Sequence, residues 1–381
     1  MVNSDAQVWV TGMSWSTALG PVLETVWDSL LAGLSGIGEV PSPFPLRSMR
    51  AATVPEIPMD RPAWDRQHEM TRSTLSRALQ DAGVDSDAPE ILPVLGTSYG
   101  PHLEMTGTTS LSRWSTMAVR DAGCVTEPIT VTTACSAGSD AVLLGLGLLQ
   151  EGAAEICVCG GVDVLTVGKR LGHSRLGTMA PDDLRAFDAG HNGTLLGEGA
   201  AFLVLETAAR ARARGARPRG VVAGAGSSND AASAVAPDPS GKNVVLAIRR
   251  ALQDARVTPA DVTVINAHGS GTPVNDAAEA RAYAQVFADV PRPPVVFATK
   301  GAFGHTLGAT GALEAVALLQ ALETGLAPPV HALRDPFPQL SLPIPAEGPV
   351  QVDPGSGISV TLGFGGFNTC LVFQGAGSAV S

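Results

Sequence analysis

The chain has 381 residues, 45% apolar and 16% charged, which is enough to bury a large core and too apolar for disorder. Twenty-five basic against 36 acidic residues leave a net charge of −11, and aromatics make up only 4%. A phosphate-backbone binder and a reader of stacked bases are therefore not expected, so no nucleic-acid partner is assigned.

In chain order, the Pro-rich segment 40–62 reads as an irregular surface excursion. A helical ALQDA segment at 78–82 precedes a β-branched run at 91–98. A strand-like run at 129–133 stops just before Cys135, and a helix apolar nearly all round follows at 141–149. That run is too short to span a bilayer, and no basic residue precedes Arg47, so neither a membrane partner nor a secretory leader is expected. Short strands are expected at 155–161 and 201–205, then an arginine-rich stretch at 210–219. ALQDA then recurs at 251–255, followed by a strand run at 262–270, an apolar helix at 312–322 and strands at 358–362 and 370–373.

The two ALQDA segments lie 173 residues apart, and the same offset carries Gly138 onto Gly311 and Gly152 onto Gly325. The order helix, strand, loop, buried helix, strand thus occurs twice. An α/β chain of two similar halves, 1–215 and 216–381, is expected, layered α-β-α-β-α with buried helices between two sheets.

Cys135 sits among small residues where a helix begins, so it is either a thiol activated by unpaired N–H groups or an inert core cysteine. Cys124, Cys157, Cys159 and Cys370 lack that setting and read as structural, reduced thiols of a cytoplasmic protein. No CxxC or paired-histidine spacing points to a metal. His268 and His305 each lie in a Gly-rich loop leading into a helix. One such histidine is ordinarily a turn residue. Two of them with a helix-start cysteine form a constellation suited to acid–base or oxyanion chemistry. The LGFGGFN segment at 362–368 reads as a hairpin turn around Phe364, or as backbone offering an N–H to an oxyanion.

TACSAG, HGSGTPVND, KGAFGHTLGATGA and GFGGFN, in that order, resemble the signatures of the elongating β-ketoacyl-acyl carrier protein synthases of the thiolase superfamily. Residues 10–20 resemble that family's opening strand, and 187–206 its segment between the Cys and His motifs. The resemblance implies the thiolase fold and an acyltransferase performing decarboxylative Claisen condensation, in fatty-acid-like or polyketide biosynthesis. It implies Cys135 as acyl acceptor, His268 and His305 at the malonyl thioester carbonyl, and Lys300 beside them, paired with Glu279 as support. Ser270 and Thr272 match positions that bind the phosphopantetheine arm. Phe364 matches the gating aromatic, its N–H and that of Cys135 forming the oxyanion hole. The implied partners are an acyl carrier protein and a second subunit, identical or related, pairing through the strand at 129–133. No cofactor is implied beyond the carrier's phosphopantetheine.

Carrier docking is assigned to Arg61, Arg66 and Arg72, with Arg210, Arg212, Arg214, Arg217 and Arg219 second, a run that also reads as a solvated helix end. The chain departs from the family pattern in a shorter stretch between Leu111 and Gly123, HNG at 191–193, Leu362, and Ser270 for threonine. These suit a specialised synthase. Alternatives within the fold are a thiolase, an initiating synthase, or a chain-length-determining partner subunit. The first two are disfavoured by the His-His pair and the third by Cys135.

Overall fold

The computed structural model describes residues 6–105 and 110–379. Ten strands form the main sheet: β1 (Val8–Ser16), β2 (Ile91–Gly96), β3 (Ile129–Val131), β4 (Ile156–Asp163), β5 (Gly199–Thr207), β6 (Gly220–Asn229), β7 (Val262–Asn266), β8 (Val295–Phe297), β9 (Ser356–Gly363) and β10 (Phe367–Gly375). Their order is β8-β7-β9-β10-β6-β1-β5-β4-β2-β3. In the first block β5 runs antiparallel to β1 and β4, while β4, β2 and β3 are parallel. The second block repeats this: β10 is antiparallel to β6 and β9, while β9, β7 and β8 are parallel. The blocks join where Val8, Trp9 and Val10 pair with Val222, Val221 and Gly220. The two sheets expected from sequence are therefore one hydrogen-bonded sheet, linked by a short antiparallel seam.

Helices α1 (Ala63–Ala82) and α2 (Arg113–Asp121) cover the first block, and α5 (Lys242–Ala255) with α6 (Pro273–Val286) the second. Helix α4 (Val167–Arg175) follows β4. Helices α3 (Ala137–Gln150) and α7 (Thr310–Thr324) pack on each other and on strands of both blocks, completing the α-β-α-β-α layering. The mostly apolar sequence of α7 fits this place, and every residue from Thr310 to Ala321 is buried.

The 173-residue offset reappears in backbone geometry. Helices α1 and α5 end on left-handed caps, Gly83 (φ 64°) and Arg256 (φ 56°). Ala134 (φ 53°) and Leu307 (φ 52°) open the tight turns that lead into α3 and α7. A Cβ on Gly138 would lie 3.0 Å from Ala312 N, and one on Gly311 would lie 2.6 Å from Ser139 Cβ. These two glycines let the buried helices meet at their first turns, which brings the loops ahead of them together. Segment 40–62 is more ordered than expected, because Arg50–Ala52 pairs with Ile37–Glu39 and Ala52 N–H bonds Leu196 O.

Candidate active site

Cys135 occupies the turn Ala134–Ser136 at the head of α3 and is buried. The Phe364 backbone N–H, Lys300 and Lys169 all favour its thiolate, and Asp163 opposes it. Burial outweighs those three and pushes the thiol up to about 11. A helix start favours the thiolate, but desolvation is the larger effect.

His268 leaves the end of β7, and His305 precedes the turn into α7. Their rings stand edge to face, 5.2 Å apart. His305 Nδ1 accepts from Leu307 N–H (3.3 Å) and lies 3.0 Å from the Thr310 hydroxyl, an arrangement that leaves the proton on Nε2. Burial holds both imidazoles well below their ordinary range, with the Lys300 charge acting in the same direction. Both are neutral donors at neutral pH.

Lys300 is buried, and its ammonium bonds Glu314 and the His268 carbonyl, which corrects the expected pairing with Glu279. Glu279 is occupied elsewhere: its carboxylate accepts His268 N–H (2.8 Å), Gly269 N–H (2.7 Å), Asn275 Nδ2 (2.7 Å) and Tyr283 O–H (2.7 Å). It clamps the backbone of the histidine loop, and burial pushes it up to about 7.

A cavity of about 310 Å³ is lined by Cys135, His268, His305, Ser270, Thr272 and Phe364, among others. The Ser270 and Thr272 hydroxyls lie 2.8 Å apart on its wall. The His173 ring stacks on Phe364 at 5.3 Å, and burial pushes that imidazole down to about 4. Lys300, Glu279 and Glu314 stand behind the cavity.

Asp163, at the end of β4, was not singled out from sequence. It pairs with Lys169 and accepts Ser98 N–H (2.9 Å) and Gly308 N–H (2.7 Å), tying the first half to the loop after His305. Glu314 carries a signal in the sequence: a carboxylate in the apolar middle of a helix needs a buried partner.

The docking assignment is corrected at Arg66, whereas Arg61 is exposed. Arg66 is buried, bonded to Glu198 and to Leu165 O (3.1 Å), because α1 turns it inward. Arg72 is held by Glu69 (2.7 Å). In the second set Arg210 pairs with Glu155 (2.9 Å), Arg214 with Glu206 (2.6 Å) and Arg219 with Asp81 (3.2 Å), and Arg212 lies over Trp9.

The family model for the β-ketoacyl synthase N-terminal domain matches residues 5–211, and that for the β-ketoacyl synthase C-terminal domain matches 219–334. The chain belongs to the β-ketoacyl synthase family. This β-ketoacyl synthase is 30% identical to 3-oxoacyl-[acyl-carrier-protein] synthase 2 of Mycobacterium bovis (strain ATCC BAA-935 / AF2122/97), over 96% of either chain. It is 39% identical to Nodulation protein E of Rhizobium leguminosarum bv. trifolii, a match spanning 64% of this chain and only 60% of that protein. The solved ishigamide ketosynthase/chain length factor is 30% identical with a TM-score of 0.87, over 97% of this chain and 99% of that one. The fold is the thiolase fold of the ketosynthases, and the protein is an acyltransferase-type condensing enzyme of fatty-acid or polyketide synthesis. Among the described residues no helix is long and apolar enough to cross a membrane.

Proposed function

We propose that this chain is a β-ketoacyl-acyl carrier protein synthase whose working residues are Cys135, His268 and His305. One observation carries the reading: a single thiol, its thiolate favoured by the Phe364 N–H, shares one cavity with the neutral His268 and His305 imidazoles, whose rings meet edge to face, while a third, His173, stacks on Phe364. In the first step the Cys135 sulfur attacks an acyl thioester, the new C–S bond forms as the old one breaks, and the carrier's sulfur leaves as a thiol with the proton that Cys135 gives up. The N–H groups of Cys135 and Phe364 would receive the oxyanion. In the second step the C–C bond to the malonyl carboxylate breaks, CO₂ leaves, and the electron pair stays on the α-carbon as an enolate. His268 and His305 would donate to its oxygen. That carbon then attacks the acyl carbonyl and releases the Cys135 sulfur. Lys300, held by Glu314, and Glu279 support the histidine loop.

Ser270 and Thr272 would bind the phosphopantetheine arm, and the carrier protein supplies that arm, so no resident cofactor is called for. An acyl carrier protein is also the partner in the name of the synthase 2 relative. At the cavity mouth Leu176 (53% exposed) and Val274 (45% exposed) offer an apolar seat. Exposed Arg175 adjoins Leu176, and Arg47 bonds Gly177 O, so these two replace Arg66 and Arg72 as docking arginines. We also propose a cytoplasmic dimer, with an identical or related subunit, through edge strand β3 and the half-buried Leu143, Leu144 and Leu148 of α3. A division of the chain into 1–215 and 216–381 follows the doubled topology.

A chain-length partner lacking the nucleophile fits Cys135 poorly. A thiolase's second cysteine fits Cys370 poorly, since it lies opposite Val360 within the sheet and is fully buried. Intact-mass spectrometry with a panel of acyl-carrier thioesters tests the reading: one acyl adduct, mapping to Cys135, is expected. An adduct elsewhere, or none from any thioester, would contradict it.

A further inference from the structure

Residues 193–196 run beside the catalytic loops. The His305 N–H donates to Leu195 O (2.7 Å), and Leu196 packs in the apolar cluster that holds Cys135 and Leu307. In extended backbone, side chains two apart share a face, so Thr194 looks the same way as Leu196, and it lines the cavity. Its main chain is held on both sides, N–H to Thr178 O (2.8 Å) and carbonyl from Ala180 N–H (2.8 Å). The residue is 2% exposed, and its hydroxyl has no partner among the described residues. A buried hydroxyl left unpaired carries a desolvation penalty, so a group that enters the cavity is needed to complete it.

Under the function proposed above, two kinds of polar group enter besides the thioester: the amides of the carrier's arm, given to Ser270 and Thr272, and the carboxylate of the malonyl unit. The thioester oxygen is already assigned to the histidines. We infer that Thr194 binds the extender unit, donating its hydroxyl to that carboxylate; this rests on the condensing reading of the same site. Asn192 Oδ1, also unpartnered in this wall, is an acceptor and suits an amide N–H of the arm instead.

The carboxylate loses its charge as the C–C bond breaks and CO₂ forms. A hydrogen bond to it is therefore stronger in the ground state than in the transition state, so it holds the extender without speeding the step. Thr194→Val removes the hydroxyl at nearly constant shape. Its KM for a malonyl thioester in decarboxylation is expected to rise about tenfold, with kcat unchanged or higher. Thr194→Ser should keep the parental KM. Acylation of Cys135 by a simple acyl thioester, which has no carboxylate, should proceed at the parental rate in both variants. The inference is overturned if Thr194→Val keeps the parental KM, if kcat falls instead, or if acylation slows equally, as a merely structural role would give. Failure of the parental protein to decarboxylate malonyl thioester at all would overturn the condensing reading itself, and this inference with it.

Discussion

Cys135 has an environment that pulls in two directions, and burial outweighs the Phe364 N–H and the nearby lysines. Alkylation of Cys135 by iodoacetamide, followed by peptide mass spectrometry, should therefore keep rising through pH 9 and 10. A plateau near the ordinary thiol value of about 8.5 would contradict the assignment. Lys300 is a second residue ruled by burial. Glu314→Leu leaves its ammonium unpaired in the core and should cost about 3–5 kcal/mol in urea unfolding, most of it recovered in the double variant Lys300→Met/Glu314→Leu. Cys135, His268 and His305 could be read from sequence because each stands in a short run of small residues at a helix start. The partner of Lys300 could not. Glu279 and Glu314 lie on different helices, and only the fold shows that one carboxylate is spent on the His268 and Gly269 N–H groups while the other faces the ammonium. Arg66 was misplaced for a related reason: a basic residue on an amphipathic helix reads as exposed until a buried Glu198 is found opposite it.

At the scale of elements, the internal repeat was legible because matching helices need matching contacts. The ALQDA segments end α1 and α5, and both pack against glycines of an adjoining strand: a Cβ on Gly12 would lie 2.4 Å from Ala82 N, and one on Gly224 would lie 2.4 Å from Ala255 N. The doubled left-handed turns at Ala134 and Leu307 were not legible, since neither is glycine and no local pattern marks them. The helix caps offer a test. Gly83 meets the left-handed cap without strain, whereas Arg256 holds the same conformation with a Cβ. Arg256→Gly relieves about 1–2 kcal/mol of strain and costs about 0.5–1 kcal/mol in chain entropy. A small net gain is expected, read as a higher Tm; a lower Tm would show that the Arg256 side chain contributes more than its strain.

For the whole molecule, the short seam between β1 and β6 and the crossing of α3 with α7 place a cysteine from one half beside two histidines from the other. Sequence order alone supplied the two halves, but the edge-to-edge join depends on long-range pairing that no local pattern carries. Surface charge is a whole-molecule property as well: most arginines proposed for docking are spent on nearby carboxylates, which leaves Arg47 and Arg175 by the cavity mouth. Arg175→Glu should raise KM for carrier-bound substrate, more strongly at low salt, and leave turnover of a small soluble thioester unchanged. The most direct test of the account separates acyl transfer from decarboxylation in three variants. Cys135→Ala should form no acyl adduct and elongate nothing, yet still release CO₂ from malonyl thioester. His268→Ala and His305→Ala should each keep adduct formation and lose about 10²–10³ in decarboxylation rate. Elongation by Cys135→Ala, or parental decarboxylation in both histidine variants, would contradict the assignment of the site.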